Sequence, residues 1–103
     1  MTRTALLPDN CTTMAQVRAG VDETDRALLA LLETRFAYMR AAARIKQSRS
    51  QVRDERRKAE VIANAAALAD QAGLPQQVIT DLWDMLVESS IAYELETWDK
   101  TRK

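Results

Sequence analysis

Apolar residues recur at helical spacing over most of the chain, and the first run predicts one long helix. Its stripe comprises Met14, Val17, Val21, Leu28, Leu32, Phe36, Met39 and Ala43. Thr13 and Gln16 fit a capping box at its start, and the first strong stop is the polar stretch at 47–51. A helix of about 35 residues would be about 50 Å long. A domain of this size cannot cover that length alone, so the pattern favours a dimer.

Two more helices are predicted after this stop. The second begins near Asp54 and runs to Gln71, and its inner face comprises Val61, Ile62, Ala65 and Leu68. Gly73 suits the left-handed residue that ends a helix, and Pro75 suits the first turn of a third. The third stripe comprises Val78, Ile79, Leu82, Met85, Leu86, Ile91, Leu95 and Trp98. With residues 1–11 as an extended N-terminal arm, the 103 residues predict a single all-α domain of three helices.

Composition and charge exclude several classes of function. The 15 basic and 15 acidic residues balance, so no basic excess points to nucleic acid or to an anionic membrane. There is no histidine and a single cysteine, Cys11, which excludes metal sites built on His and Cys clusters and catalysis by a histidine base. The sequence shows no signal peptide and no apolar run long enough to span a bilayer. We therefore expect a cytoplasmic protein whose chemistry uses Arg, Lys, carboxylates, hydroxyls and amides.

Three cations of the first helix are candidates for binding an anion. Arg35 and Lys46 are 11 residues apart, which places them within about 20° around the helix axis and about 16 Å apart along it. Arg18 points about 100° away from Arg35, and in a dimer that direction could be the partner's pocket. The alternative is that all three are solvated charges. Phe36 and Ile45, which place Arg35 and Lys46 beside the apolar stripe, weaken that alternative.

The order of these residues resembles the all-helical chorismate mutases. The matching fragments are Val17-Arg18, Val21 to Asp25, Leu28 to Arg35, Lys46, Val52-Arg53-Asp54 with Arg57, and Glu88-Ser89-Ser90 with Glu94. They cover roughly residues 11–98 in order and with near-correct spacing. The opening Pro8-Asp9-Asn10-Cys11-Thr12 is also similar to the isochorismate pyruvate lyase branch of the same superfamily.

The resemblance implies an intertwined homodimer of three-helix protomers with two sites and no metal or cofactor. Arg35 and Lys46 would bind the dicarboxylate chorismate from one protomer, and Arg18 would reach in from the other. The second helix would contribute Asp54 and Arg57. The third would contribute Ser90 and Glu94. The implied reaction is the pericyclic rearrangement of chorismate to prephenate in phenylalanine and tyrosine biosynthesis.

Three residues are the candidates for catalysis: Arg35, Lys46 and Glu94. Lys46 and the side chain at position 94 would donate hydrogen bonds to the ether oxygen as its bond breaks. Many bacterial relatives have Gln where this chain has Glu94, and a carboxyl group donates only when it is protonated. We therefore predict activity that falls as the pH rises. Lys58 stands where some mutases have a glutamate that contacts the substrate hydroxyl, so that contact is missing or comes from Asp54.

Two other functions remain open at this point. One is a lyase that releases pyruvate from isochorismate to give salicylate, with much the same cationic site. Asp54 and Ser90 favour the mutase over it, although Asp54 could instead be only a helix N-terminal acid and Ser90 only a small packing residue. The other is a non-catalytic helical dimerisation module, which should tolerate Arg35→Ala, whereas either enzyme should lose most of its activity.

Overall fold

The computed structural model describes residues 5–102 and confirms an all-α chain. Its three α-helices are α1 (Met14–Ile45), α2 (Glu55–Gln71) and α3 (Gln76–Thr101). Two short 3-10 turns, Pro8–Asn10 and Arg49–Gln51, precede α1 and α2. No strand occurs among the described residues. The chain divides into two compact units, Met1–Ala37 and Tyr38–Lys103, so the single domain stays a prediction and each unit is described by itself.

In the first unit, side chains fix the start of α1 where the sequence predicts it. The backbone N–H of Gln16 donates to Thr13 Oγ1 at 3.2 Å, and Gln16 Oε1 accepts from the N–H of Thr13 at 3.1 Å. This reciprocal pair is the predicted capping box. Gln16 Oε1 also accepts from the N–H of Thr12 at 2.8 Å. The N–H groups of Thr13 and Gln16, which have no intrahelical partner at the start of the helix, are thus satisfied, as is that of Thr12 just before it.

The sequence predicts an extended arm over residues 1–11, but the segment before α1 contains a 3-10 turn. Pro8–Asn10 form a 3-10 turn because proline presets the backbone angle of its first residue and two hydrogen bonds close the turn, Asn10 N–H to Leu7 O at 2.9 Å and Cys11 N–H to Pro8 O at 3.2 Å. The N–H of Ala5 donates to Glu23 Oε2 at 2.9 Å, which ties this segment to α1. The rest of the predicted arm, residues 1–4, lies outside the described residues.

The apolar stripe of α1 is largely uncovered in the first unit. Met14, Val17, Val21 and Leu28 are all exposed, Leu28 by 53%. An apolar cleft of about 270 Å³ lies beside this stripe. It is lined by Leu6, Pro8, Cys11, Val17, Gly20, Val21, Thr24 and Asp25. Exposed apolar patches of this kind are typical of surfaces that another molecule covers.

In the second unit, a glycine turn reverses the chain between α2 and α3. Gly73 has φ 69°, the left-handed conformation that the sequence predicts for it and that other residues adopt at a cost. The N–H of Leu74 donates to Ala69 O at 2.9 Å, and that of Gly73 donates to Asp70 O at 3.2 Å. These two bonds form a Schellman motif. It ends α2 and lets α3 begin immediately, with Pro75 as its N-cap.

The seam between α2 and α3 runs over small residues. Ala65 and Ala69 on α2 are buried, as is Val87 on α3. The predicted inner face of α2 is therefore right for Ala65 and wrong for Leu68, which is 64% exposed. Ala65 and Ala69 are four residues apart and share one line along the helix. Their small side chains let the two helices approach closely, and Leu68 lies to the side of that line.

Two polar residues occupy buried positions on α3. The buried residues of this helix are Val87, Ser90 and Glu94, whose spacing places them on one face. Ser90 is 3% exposed and Glu94 is 4% exposed. A carboxylate is rarely buried to this degree unless it has a partner. The face of α3 that carries Ser90 and Glu94 is therefore the place to look for a functional site.

Candidate functional site

The buried carboxylate of Glu94 is paired with the ammonium group of Lys46. Lys46 directly follows the last residue of α1, and its Nζ lies 2.7 Å from Glu94 Oε2. Nζ also lies 3.5 Å from the carbonyl oxygen of the buried Val52. The side chains of Lys46 and Glu94 are 28% and 6% exposed. The structure therefore brings together the two residues that the sequence predicts as hydrogen-bond donors, with the ammonium nearer to solvent.

The backbone at Lys46 is held by two residues that the sequence analysis missed. The carbonyl oxygen of Lys46 accepts from Trp98 Nε1 at 3.1 Å and from the Arg102 guanidinium at 2.7 Å. Glu94, Trp98 and Arg102 follow one another at intervals of four residues on or just after α3. Residues at that interval share a helix face, and this spacing was the signal that could have revealed Trp98 and Arg102.

Ser90 lies one turn before Glu94 on α3, and its hydroxyl has a partner within the helix. Ser90 Oγ donates to the carbonyl oxygen of Leu86 at 2.6 Å. A hydroxyl can also accept hydrogen bonds while it donates one. The predicted role of Ser90 at a substrate site stays a prediction, and its burial is equally expected of a packing residue.

Asp54 and Arg57 stand at the start of α2. Asp54 is the N-cap of this helix, and its Oδ1 accepts from the backbone N–H of Arg57 at 3.0 Å. Asp54 is therefore a helix N-terminal acid, the alternative that the sequence leaves open. A role of Asp54 toward a substrate stays a prediction. Arg57 has an exposed guanidinium that pairs with Glu60.

Lys46 and Asp54 line one open depression of about 720 Å³. Its other lining residues are Ile45, Gln47, Gln51, Arg53 and Glu55. The depression is wide enough for a small anionic ligand, and Lys46 is one of the residues that line it. Of the predicted site residues in the second unit, Lys46 and Asp54 line this depression, and Glu94 is joined to it through its ion pair with Lys46. The guanidinium of Arg57 is paired with Glu60.

A network of charges joins the start of α2 to α3. The Arg53 guanidinium donates two hydrogen bonds to Glu88, at 2.9 and 3.1 Å, and Lys58 Nζ lies 2.8 Å from Glu88 and 3.1 Å from Asp84. The hydrogen bonds from Arg53, and then from Lys58, lower the pKa of Glu88 to about 2. Lys58 is therefore bound to carboxylates of α3.

The other two predicted cations, Arg18 and Arg35, belong to the first unit. Arg18 is exposed, and Arg35 is half-buried. Burial lowers the pKa of Arg35, although a guanidinium stays protonated in proteins. A cation that is partly withdrawn from water binds an anion more strongly than a fully solvated one. The convergence of Arg35 with Lys46 on one ligand stays a prediction, as does the reach of Arg18 into a partner's site.

Two other features are absent from residues 5–102, the part of the chain that the structure describes. No group of three or more Cys, Asp or Glu side chains is placed to hold a metal ion there. No helix in that part of the chain has the length and apolar character needed to cross a membrane.

The grouped side chains can hold an anion and donate to an oxygen atom. Lys46 offers an ammonium group with three donors, and Glu94 offers a carboxyl group that accepts when ionised and donates only when protonated. The Glu94 side chain is only 6% exposed and that of Lys46 is 28% exposed, and donors that are held in place before the reaction stabilise developing negative charge without further reorganisation. Such a site suits a reaction in which an oxygen atom gains negative charge.

Comparison with known proteins supplies a family and a relative. A family model described as "Chorismate mutase type II" matches residues 17–95, a range that includes every candidate site residue. The chain is also 28% identical over 95 residues to a protein of Pseudomonas aeruginosa named "Isochorismate pyruvate lyase". That similarity covers 92% of this chain and 94% of the relative.

Proposed function

The chain belongs to the type II chorismate mutase family, and from this premise we propose that it is an enzyme that rearranges chorismate to prephenate. We expect this step to serve phenylalanine and tyrosine synthesis in the cytoplasm. The observation that carries the proposal is the Lys46–Glu94 pair, with Nζ 2.7 Å from a carboxylate that is almost fully buried. The family membership confirms the resemblance that the sequence motifs indicate.

The chemistry of the rearrangement fits the residue types that are present. It needs no nucleophile and no proton transfer, because one carbon–oxygen bond breaks as one carbon–carbon bond forms within the same molecule. The enzyme has to hold the two carboxylates so that the compact, chair-like conformer is selected. It also has to stabilise negative charge on the ether oxygen in the transition state. Fixed cations and preorganised donors supply both effects.

Lys46 and Glu94 are the proposed donors to the ether oxygen. Lys46 donates in its ordinary charged state, whereas Glu94 accepts from Lys46 when it is ionised and can donate only after it takes up a proton. A substrate oxygen near Nζ would therefore meet one donor while Glu94 is ionised and two donors once Glu94 is protonated. This is the physical reason for an activity that falls as the pH rises.

Arg35 and Arg18 are the proposed partners of the substrate carboxylates. A planar guanidinium binds a carboxylate through two parallel hydrogen bonds. The partial burial of Arg35, which lowers its pKa, supports this role because it strengthens the attraction for an anion. Asp54, Arg57 and Ser90 are proposed to line the remainder of the site, and no cofactor is invoked.

A homodimer in which Arg18 acts across the interface completes the proposal. The exposed apolar stripe of α1, with Met14, Val17, Val21 and Leu28, supports it. So does the absence of any large side chain less than 2% exposed among the described residues. A single chain with so little fully buried apolar volume gains stability if a second copy covers that stripe.

A second candidate is isochorismate pyruvate lyase. Its support is the 28% identity over nearly the whole length of the Pseudomonas aeruginosa protein of that name. The reaction would remove pyruvate from isochorismate to leave salicylate, and the same cations would bind its dicarboxylate substrate. We rank it second because Asp54 and Ser90 favour the mutase over the lyase in the sequence motifs.

Product analysis with two substrates tests the proposal. Purified protein is incubated separately with chorismate and with isochorismate, and the products are identified by liquid chromatography and mass spectrometry. Prephenate from chorismate supports the mutase. If only isochorismate is turned over, to salicylate and pyruvate, the lyase replaces the mutase as the proposed function. No turnover of either substrate would leave a non-catalytic helical dimer. Arg35→Ala should lose most of the activity while it stays folded, and Arg26→Ala, an exposed arginine of the same helix, is the matched control.

A further inference from the structure

The last turn of α3 holds the backbone at which α1 ends. Trp98 Nε1 and the Arg102 guanidinium both donate to the carbonyl oxygen of Lys46, at 3.1 and 2.7 Å. Arg102 also donates to the carbonyl oxygens of Ala43, at 2.9 Å, and Arg44, at 3.4 Å. One guanidinium therefore contacts three carbonyl groups at the end of a single helix.

These contacts satisfy groups that a helix end leaves open. The last carbonyl groups of an α-helix have no intrahelical partner and carry partial negative charge. A guanidinium, whose donors form a rigid fork, suits them in both charge and geometry. Its central carbon lies 4.6 Å from the centre of the Trp98 ring, so Trp98 in turn orients Arg102.

The same helix also holds the side chain of Lys46. Glu94 and Trp98 are one turn apart on α3 and share a face. Glu94 binds Nζ of Lys46, and Trp98 binds its carbonyl oxygen. A further pair, Arg49 with Asp99 at 2.9 Å, fastens the following 3-10 turn to α3. The side chain and the backbone carbonyl of Lys46 are thus both held by the same helix, α3.

On the basis of the proposed function, we propose that Trp98 and Arg102 are positioning residues for Lys46. They contact its backbone carbonyl oxygen and not its ammonium group, which is bound by Glu94. Without them, the end of α1 would no longer be fixed relative to Glu94, and Nζ would lose its defined place. A misplacement of about 1 Å at a reacting centre can cost about 100-fold in rate.

Steady-state kinetics test this role on the substrate that the enzyme turns over. We expect Arg102→Ala and Trp98→Phe to lower kcat by about 10- to 100-fold with KM changed by less than about twofold. Lys100→Ala, which removes an exposed cation from the same turn, is the control and should keep the wild-type kcat. Wild-type kcat in both Arg102→Ala and Trp98→Phe would overturn the proposal.

A second background separates positioning from a general loss of fold. If Arg102 acts through Lys46, Arg102→Ala should have little further effect on kcat in a Lys46→Met protein, because coupled residues are not additive. An equal fold-loss in both backgrounds would contradict the proposal.

An activity-independent measurement distinguishes failure of this inference from failure of the proposed function. The Trp98 indole N–H is assigned by NMR as the indole signal that remains in Trp83→Phe. Its hydrogen exchange should be slow in the wild type. It should be faster in Arg102→Ala, while the Trp83 indole N–H is unchanged. If the wild type turns over neither substrate, this result would still support the holding of the Lys46 backbone. Unchanged exchange of Trp98 would overturn it.

Discussion

Replacement of Lys46 by methionine isolates the interaction on which the proposed site depends. Methionine is unbranched and of similar length, so it keeps much of the side-chain volume while it removes the charge and all three donors. The carboxylate of Glu94, with a side chain only 6% exposed, would then lose its ion-pair partner. We expect Lys46→Met to destabilise the fold as well as the site.

The size of this effect follows from the geometry of the pair. Two unit charges 2.7 Å apart attract by about 6 kcal/mol at an effective dielectric constant of about 20, but the cost of desolvation offsets much of that gain. Removal of one partner from a fully buried pair costs about 3–5 kcal/mol. Because the Lys46 side chain is 28% exposed, water can partly replace it. We therefore expect a loss of about 1.5–3 kcal/mol, the range for a hydrogen bond to a charged group.

Urea unfolding followed by circular dichroism measures this loss. Wild type and variant should be compared at one protein concentration, because the stability of an oligomer depends on concentration. Lys100→Met is the matched control. Lys100 pairs with Glu96 at 2.7 Å, yet both side chains are about two-thirds exposed. Exposed pairs of this kind contribute little to stability, so Lys100→Met should lower the free energy of unfolding far less than Lys46→Met.

A double-mutant cycle with Glu94→Gln assigns the loss to the pair itself. If the two side chains interact as the structure shows, Lys46→Met combined with Glu94→Gln should be more stable than the sum of the single changes predicts, by at least about 1 kcal/mol. A free energy of unfolding for Lys46→Met that stays within about 0.5 kcal/mol of the wild type, as for the control, would refute the reasoning. Fully additive effects of Lys46→Met and Glu94→Gln on the free energy of unfolding would also refute it.

Three further predictions concern pH and assembly. Glu94→Gln should flatten the fall of kcat with rising pH, because an amide donates at any pH, and parallel pH–rate profiles of variant and wild type would contradict the proposed protonated donor. Glu88 has a pKa of about 2, lowered first by Arg53, so its contribution to stability is present above its ordinary pKa of about 4.3 and is lost as the pH falls through about 2. Acid unfolding curves should therefore show a weaker loss of stability across that window for Glu88→Gln, and curves of equal slope would rule this out. Inactive Arg18→Ala and inactive Lys46→Met are mixed, unfolded and refolded together. About a quarter of wild-type activity should return, because about half of the dimers are mixed and one of the two sites in each mixed dimer is intact. No recovery would place Arg18 outside the partner's site.

The boundaries of the helices could be predicted because local signals mark them. The capping box of Thr13 and Gln16, the left-handed Gly73 and the N-cap Asp54 each act within a few residues. The packing of α2 was less predictable. Leu68 is more apolar than Ala69, but the seam follows the alanines because two helices approach most closely where side chains are small. That choice depends on the neighbouring helix, which periodicity along one helix does not describe.

The candidate site could be predicted as a set of residue types but not as a set of contacts. The motif order identified Lys46 and Glu94, and the structure places them 2.7 Å apart. The motif order did not reveal that α3 would also hold the Lys46 carbonyl oxygen through Trp98 and Arg102. An apolar stripe treats Trp98 as packing surface, whereas its indole N–H acts on a helix end that lies 52 residues earlier in the chain.

The initial rate of chorismate consumption, with the product identified, tests the central proposal most directly. Wild type and Lys46→Met are compared at equal concentrations of folded protein, at mildly acidic and at neutral pH. We expect prephenate from the wild type, formed faster at the lower pH, and a kcat about 100- to 1,000-fold lower in Lys46→Met, as for the loss of one preorganised donor. Equal rates in the two proteins, or no consumption of chorismate by the wild type, would contradict the assignment of this site to a chorismate mutase.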